Sequence, residues 1–158
     1  MTGRPTYDER LRAPVALWAA VWGGSLLLGI SVLVALGPVA GLVGLLVPGV
    51  LLSWVLVRAA APVRVVDGDL VAGPARIPVD LLGTVEVLDD AQARAVRGPV
   101  SDPAAFHLIR GWVRAGIRAE VVDHADPTPY WFVATRRPDA LAAAVEAARG
   151  GVRPQRTG

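Results

Sequence analysis

From Ala13 to Val57 the chain runs for 45 residues without a charged side chain, and its only hydroxyls there are Ser25, Ser31 and Ser53. An α-helix rises about 1.5 Å per residue and the hydrocarbon core of a bilayer is about 30 Å thick, so roughly 20 apolar residues cross it. The run is too long for one span and suits two. Gly37-Pro38 divides it into Pro14–Leu36 and Val39–Val57, 23 and 19 residues. So short a turn makes the helices antiparallel, and the pattern predicts a transmembrane hairpin over 14–57. A cleaved signal peptide is not expected, because its apolar stretch would be about 7–15 residues followed by a small-residue cleavage site. Here the stretch is longer and a second span follows directly.

After Ala59-Ala60-Ala61-Pro62 the period shortens from helical to alternating. "VRVVDGDLVAG" predicts a hairpin, Val63–Val66 and Leu70–Ala72, joined through Asp67-Gly68, a dipeptide suited to two-residue turns. Further short strands are predicted around Arg76–Val79, Thr84–Leu88 and Phe106–Ile109, and a strand pair at Ile117–Val122 and Tyr130–Thr135. Asp89–Gly98 has acids at its start, arginines late and a glycine stop, the marks of a short helix or ordered loop. Pro138–Arg149 begins with proline, carries Asp139 in its first turn and sets Leu141, Val145 and Ala148 along one face, which predicts an amphipathic helix. The fold class expected is therefore α+β: an N-terminal transmembrane hairpin, then a small β-rich roll or open barrel plugged by a C-terminal helix.

The flanks orient the hairpin. Arg4, Arg10 and Arg12 precede it, Arg58 and Arg64 follow it, and the turn between the helices is uncharged. The positive-inside rule then places both ends in the cytoplasm, with Trp18, Trp22 and Trp54 as an aromatic belt on that side. Small residues four apart (Ala16, Ala20 and Gly24; Gly37 and Gly41; Ala40 and Gly44) predict close helix packing within the hairpin. Pro48 is expected to kink the second helix. Neither span holds an ionisable residue, which argues against an ion or proton pathway. The boundaries expected are a cytoplasmic segment 1–13, the hairpin 14–57 (14–36 and 39–57), a cytoplasmic domain 62–150 with its helix at 138–149, and a flexible tail 151–158.

Charge refines the picture. All sixteen basic residues are arginine, and the chain carries a net charge of +2. That excess falls within residues 1–62, while residues 63–158 hold twelve arginines against twelve acids. A neutral extramembrane domain lacks the basic footprint of a nucleic-acid binder. With no cysteine, disulfides and thiolate chemistry are excluded.

The "YDERLRAPVALW" start, the apolar hairpin and "ADPTPYWFVATRRPDALAAAV" carry a resemblance. From Tyr7 to about Arg149 the chain resembles the actinobacterial membrane proteins grouped as domain of unknown function 3093. Its strand-then-helix ending is also similar to bacterial pleckstrin-homology-like domains that follow paired membrane helices. The resemblance implies a multi-pass protein of the cell membrane and brings no catalytic residues. Phosphoinositide-binding relatives of that fold carry basic residues in the first hairpin, where this chain has Asp67-Gly68-Asp69.

Signs of an enzyme are thin. No H-E-x-x-H, G-x-S-x-G or phosphate-binding loop is present. His124 stands between Asp123 and Asp126 in a stretch read as a solvated turn, and His107, between Phe106 and Leu108, as structural. No catalytic residue, metal or cofactor is expected. Tyr130, Trp131 and Phe132 are read as core, since both faces of that strand are apolar. Arg136 and Arg137 precede a helix N-terminus, where cations are disfavoured. Two readings stand: an ion pair of Arg137 with Asp139 or Glu86, or an anion site in which both arginines meet phospholipid headgroups or a phosphorylated partner. The function expected is a non-enzymatic membrane-anchored scaffold or interaction module. The alternatives are a lipid- or anion-responsive module and an accessory subunit of a membrane enzyme or transporter. The partners expected are the lipid bilayer and a membrane protein or a second copy of the chain.

Overall fold

The computed structural model describes residues 5–98, 101–123 and 126–151. It divides into two compact units, one made of Arg12–Ala60 and the other of the chain on either side of it.

The first unit is a pair of helices, α1 (Val15–Leu36) and α2 (Pro38–Arg58). Gly37 turns the chain between them at φ 90°, a conformation that side chains rarely adopt, and Pro38 opens α2 with its φ already set. The tight turn fixes the register. Leu33 and Gly41 each lie four residues from Gly37, and Gly29 and Leu45 each lie eight. A Cβ on Gly41 would come within 2.6 Å of Leu33 Cβ, and one on Gly29 within 2.8 Å of Leu45 Cβ. The helices therefore touch through glycine, at Gly41 and Gly44 of α2 as expected, but along another stripe of α1. Around Gly24 nothing lies within 4 Å, and on α1 the buried small residues are Ser25 and Gly29. The turn sets Ser25 and Gly29, rather than the expected Ala16, Ala20 and Gly24, on the α1 face in register with Gly41. Trp22, expected in the aromatic belt, lays its ring over Gly49, and α2 continues past Pro48 to Arg58. Only 11% and 17% of the most apolar stretches of α1 and α2 are buried, so both helices are long and apolar enough to cross a membrane and show most of their side chains outward.

The second unit contains two four-stranded sheets. The first has the order β1-β2-β3-β4, with β1 Tyr7–Leu11, β2 Ala61–Val66, β3 Asp69–Ala72 and β4 Ala75–Pro78, every neighbour antiparallel. Asp67 and Gly68 at φ 53° and 80° make the two-residue turn between β2 and β3, as their sequence predicts. The second sheet has the order β5-β7-β8-β6. Its strands are β5 Leu82–Leu88, β6 Phe106–Leu108, β7 Gly116–Val121 and β8 Tyr130–Ala134, with β6 parallel to β8. Between β5 and β6 stands α3 (Asp90–Arg97), closed at its start by a reciprocal cap. Asp89 Oδ1 accepts from the Gln92 amide (2.8 Å), and Gln92 Oε1 accepts from the Asp89 amide (3.0 Å).

The C-terminal helix, α4 (Pro138–Gly151), packs against β1 and β2 of one sheet and β5 and β7 of the other. One core joins all three layers: Leu11, Val63 and Leu70 from the first sheet, Ile117 and Phe132 from the second, Leu141 and Val145 from α4. The helix runs through Gly150 to Gly151, and residues 152–158 of the expected tail lie outside the described residues.

One element differs from the sequence reading. Residues 1–13 were expected to stand apart from a domain beginning at 62, yet Tyr7–Leu11 forms an edge strand of that domain, from Tyr7 opposite Val65 to Leu11 opposite Ala61. Its burial alternates buried and exposed, with Tyr7, Glu9 and Leu11 inward. A carboxylate at an inward position hides the strand from a hydrophobicity pattern.

Candidate functional site

The inward carboxylate defines the most polar point of the interior. Glu9 is 8% exposed, and beside it stand Tyr7, also on β1, and Thr135, just past the end of β8. Glu9 Oε2 accepts from Tyr7 OH at 2.7 Å and from Thr135 Oγ1 at 2.5 Å, while the two hydroxyl oxygens approach to 2.8 Å. Two hydroxyl protons thus serve three short edges of a triangle. Burial pushes the Tyr7 phenol up to about 12. The hydrogen bond with Thr135 opposes that rise, the bond and charge of Glu9 add to it, and the Arg137 cation opposes it.

The two arginines singled out in the sequence meet this triangle. The Arg136 amide donates to Glu9 Oε1 at 3.3 Å, and its guanidinium lies 4.0 Å from the same oxygen. The Arg137 amide donates to Thr135 Oγ1 at 3.1 Å. Its side chain donates to the Asp8 carbonyl at 3.3 Å and sits 5.1 Å from the centre of the Tyr7 ring. Neither Asp139 nor Glu86 takes the expected ion pair with Arg137; Glu86 stands 3.6 Å from Arg118 instead. Glu9 thus brings its own negative charge to the entrance of α4, where the macrodipole favours an anion. The acid lies 127 residues away in sequence from Arg136, and the packing of α4 on β1 brings them together.

Other candidates resolve into structure. In β8, Tyr130 through Ala134 are all buried, with Phe132 and Val133 fully so, and Trp131 stacks with Phe106 at 4.2 Å between ring centres. His107 lies 3.0 Å from the Ala105 carbonyl through Nδ1 and 3.4 Å from Ser101 Oγ through Nε2. His124 lies outside the described residues. Thr128 holds the nearby Asp126 carboxyl below its ordinary value, first through its side-chain hydrogen bond and then through its amide, which donates at 2.9 Å. Among the described residues no three His, Asp or Glu side chains gather as metal ligands.

Sequence reasoning missed how arginines tie the domain together. Arg97 donates to the carbonyls of Ala93 (2.9 Å), Val113 (3.2 Å) and Arg114 (3.0 Å), fastening α3 to the loop before β7. Arg149 donates to the carbonyls of Leu82 (2.9 Å) and Gly83 (2.7 Å), fastening the end of α4 to the start of β5. A five-donor fork suits paired carbonyls, and nothing local in the sequence marks which arginines face them.

The class these observations define is an α+β domain of two sheets and a closing helix, interrupted between its first two strands by a hairpin of apolar helices. The family described as "Protein of unknown function (DUF3093)" matches residues 6–145, and the chain belongs to that family. The match runs from the threshold of β1 into α4 and so includes both units. Comparison with curated proteins and with solved structures returns no significant match.

Proposed function

We propose that this protein is a non-enzymatic, membrane-anchored interaction module: the hairpin spans the cell membrane, and the β-rich domain is held at its cytoplasmic face as a scaffold for a membrane-protein partner or a second copy. The observation that carries this reading is the insertion of two outward-apolar helices between strands that pair directly, Leu11 opposite Ala61. The chain leaves and re-enters the domain at adjacent points, so both flanks of the hairpin lie on one side of any bilayer it crosses. The arginines beside it support the cytoplasm as that side. We also read the domain as a pleckstrin-homology-like roll. A four-stranded meander, a second sheet and a C-terminal helix packed on both support that reading.

Topology is tested by reporters fused after residue 12, at the Gly37–Pro38 turn and after residue 70. The first and last should report cytoplasm and the second the opposite side; an exported reporter at 70 overturns the orientation. For the role itself, crosslinking in native membranes should capture one stoichiometric partner with the full chain. Capture by the hairpin alone at equal yield would remove the domain from the interaction.

A further inference from the structure

Strand register gives the β-rich domain two ends, and the charges sort between them. One end is where the chain leaves for the hairpin, at Leu11 and Ala61. Several contacts place the second sheet's ends relative to it. Trp112 Nε1 donates to the Leu11 carbonyl at 3.3 Å. A Cβ on Gly73, whose amide donates to the Pro62 carbonyl, would lie 3.2 Å from Leu108. Gly116 opposes Leu88 and Ala134, and the Thr135 amide donates to the Ala115 carbonyl. At this end therefore lie Arg94, Arg97, Arg110 and Arg114, with the acids Asp89 and Asp90, while Arg136 and Arg137 reach back along β1 to Glu9 and Asp8. The opposite end carries the Asp67-Gly68 turn, the turn that includes Asp80, and the connection from β7 to β8. Asp67, Asp80, Glu120, Asp123 and Asp126 lie there, with Arg149 as the cation held on the Leu82 and Gly83 carbonyls. A domain of zero net charge is electrically polar along its strands.

The arginine end also has a receptive shape. An open cavity of about 510 Å³ is lined by Arg94, Arg97, Arg114, Gly98 and Gly111, with Asp90 as its one acid. Asp90 lies 2.9 Å from Arg94 and 3.8 Å from Arg114, and both guanidinium groups remain largely exposed, at 71% and 80%. Arg97 is spent on main-chain carbonyls and holds the two walls together.

We propose that this end is a docking surface for the anionic phospholipid headgroups of the membrane the hairpin enters, with the exposed guanidinium groups of Arg94 and Arg114 meeting headgroup phosphodiesters. The inference rests on the membrane-anchored reading above. Connectivity tethers this end: only the links from Leu11 to Val15 and from Arg58 to Ala61 separate it from the helices along the chain, and they reach at most about 14 and 11 Å. Screening then lets the near end decide. A six-residue strand is about 20 Å long, about twice the 8–10 Å over which charges act in physiological salt, so the far acids do not cancel the arginines. Each arginine held close to an anionic surface favours docking about five-fold.

The test uses the full chain in nanodiscs of phosphatidylcholine alone or with phosphatidylglycerol added, read by amide hydrogen exchange. The prediction is that amides of the 109–116 loop exchange at least about five-fold more slowly over the anionic lipid, and that added salt abolishes the difference. The combined variant Arg94→Gln, Arg110→Gln and Arg114→Gln should lose the protection while β7 and β8 keep theirs; Asp123→Asn with Asp126→Asn should change nothing. Equal exchange over both lipids, or protection at the acidic end instead, overturns the proposal and leaves the anchor standing. A full chain that does not embed in nanodiscs overturns both.

Discussion

At the scale of residues, the Tyr7, Glu9 and Thr135 triangle makes the sharpest predictions. Glu9→Ala leaves two hydroxyls and the Arg136 amide facing an apolar gap, and a broken buried polar network costs about 2–4 kcal/mol. Chemical denaturation of the full chain in detergent should show that loss, whereas Thr135→Val should cost about 1–2 kcal/mol. The Tyr7 phenol, raised to about 12 in the fold against 10.0 ordinarily, works in one pH window. Above pH 10 the unfolded chain gives up this proton while the folded chain still holds it. The contribution of Tyr7 to stability is therefore complete below pH 10 and is lost as pH rises through about 12. Tyr7→Phe should abolish this part of the alkaline decline, followed as denaturation midpoint against pH. From the sequence, Arg136 and Arg137 were legible as cations in an awkward place. Their acid was not, because Glu9 is remote along the chain and looks like an ordinary surface charge.

Among the elements, the hairpin and α4 were the most legible. Turn chemistry placed Gly37, Asp67-Gly68 and the Asp89 cap where the structure has them, because each depends on a few adjacent residues. The contact stripe of the hairpin did not follow from spacing, since several small-residue faces share the same period. Gly41→Val should force the helices apart at Leu33 and cost about 1–3 kcal/mol, the usual range for overpacking. Gly24→Ala meets open space and should leave the thermal transition unchanged. Measured side by side, equal effects at both positions would show that the helices do not meet where Gly37 sets them.

For the molecule as a whole, the important feature is that the β-rich domain is discontinuous. Its edge strand is made before the hairpin and the rest after it. A fragment from residue 61 onward lacks Tyr7 and Leu11 from the core and leaves the inner face of β2 half covered. It should aggregate or unfold at lower denaturant than a fusion that restores residues 1–11. Deleting Pro138–Arg149 should act more severely, because Leu141, Ala144 and Val145 close the space between both sheets. Retention of the full thermal transition by that truncation would show that α4 is not part of the core.

Legible in the sequence was everything that repeats or turns locally: the two long apolar helices, the strands flanked by turn residues, the closing helix, and the family to which the chain belongs. Periodicity and turn chemistry are short-range and survive in one dimension. The tertiary structure alone decided that Tyr7–Leu11 joins the domain, that Glu9 meets Arg136, and that a neutral domain has an arginine end and an acidic end. Each of these depends on which strand lies beside which, and that pairing is settled by burial shared across the whole fold.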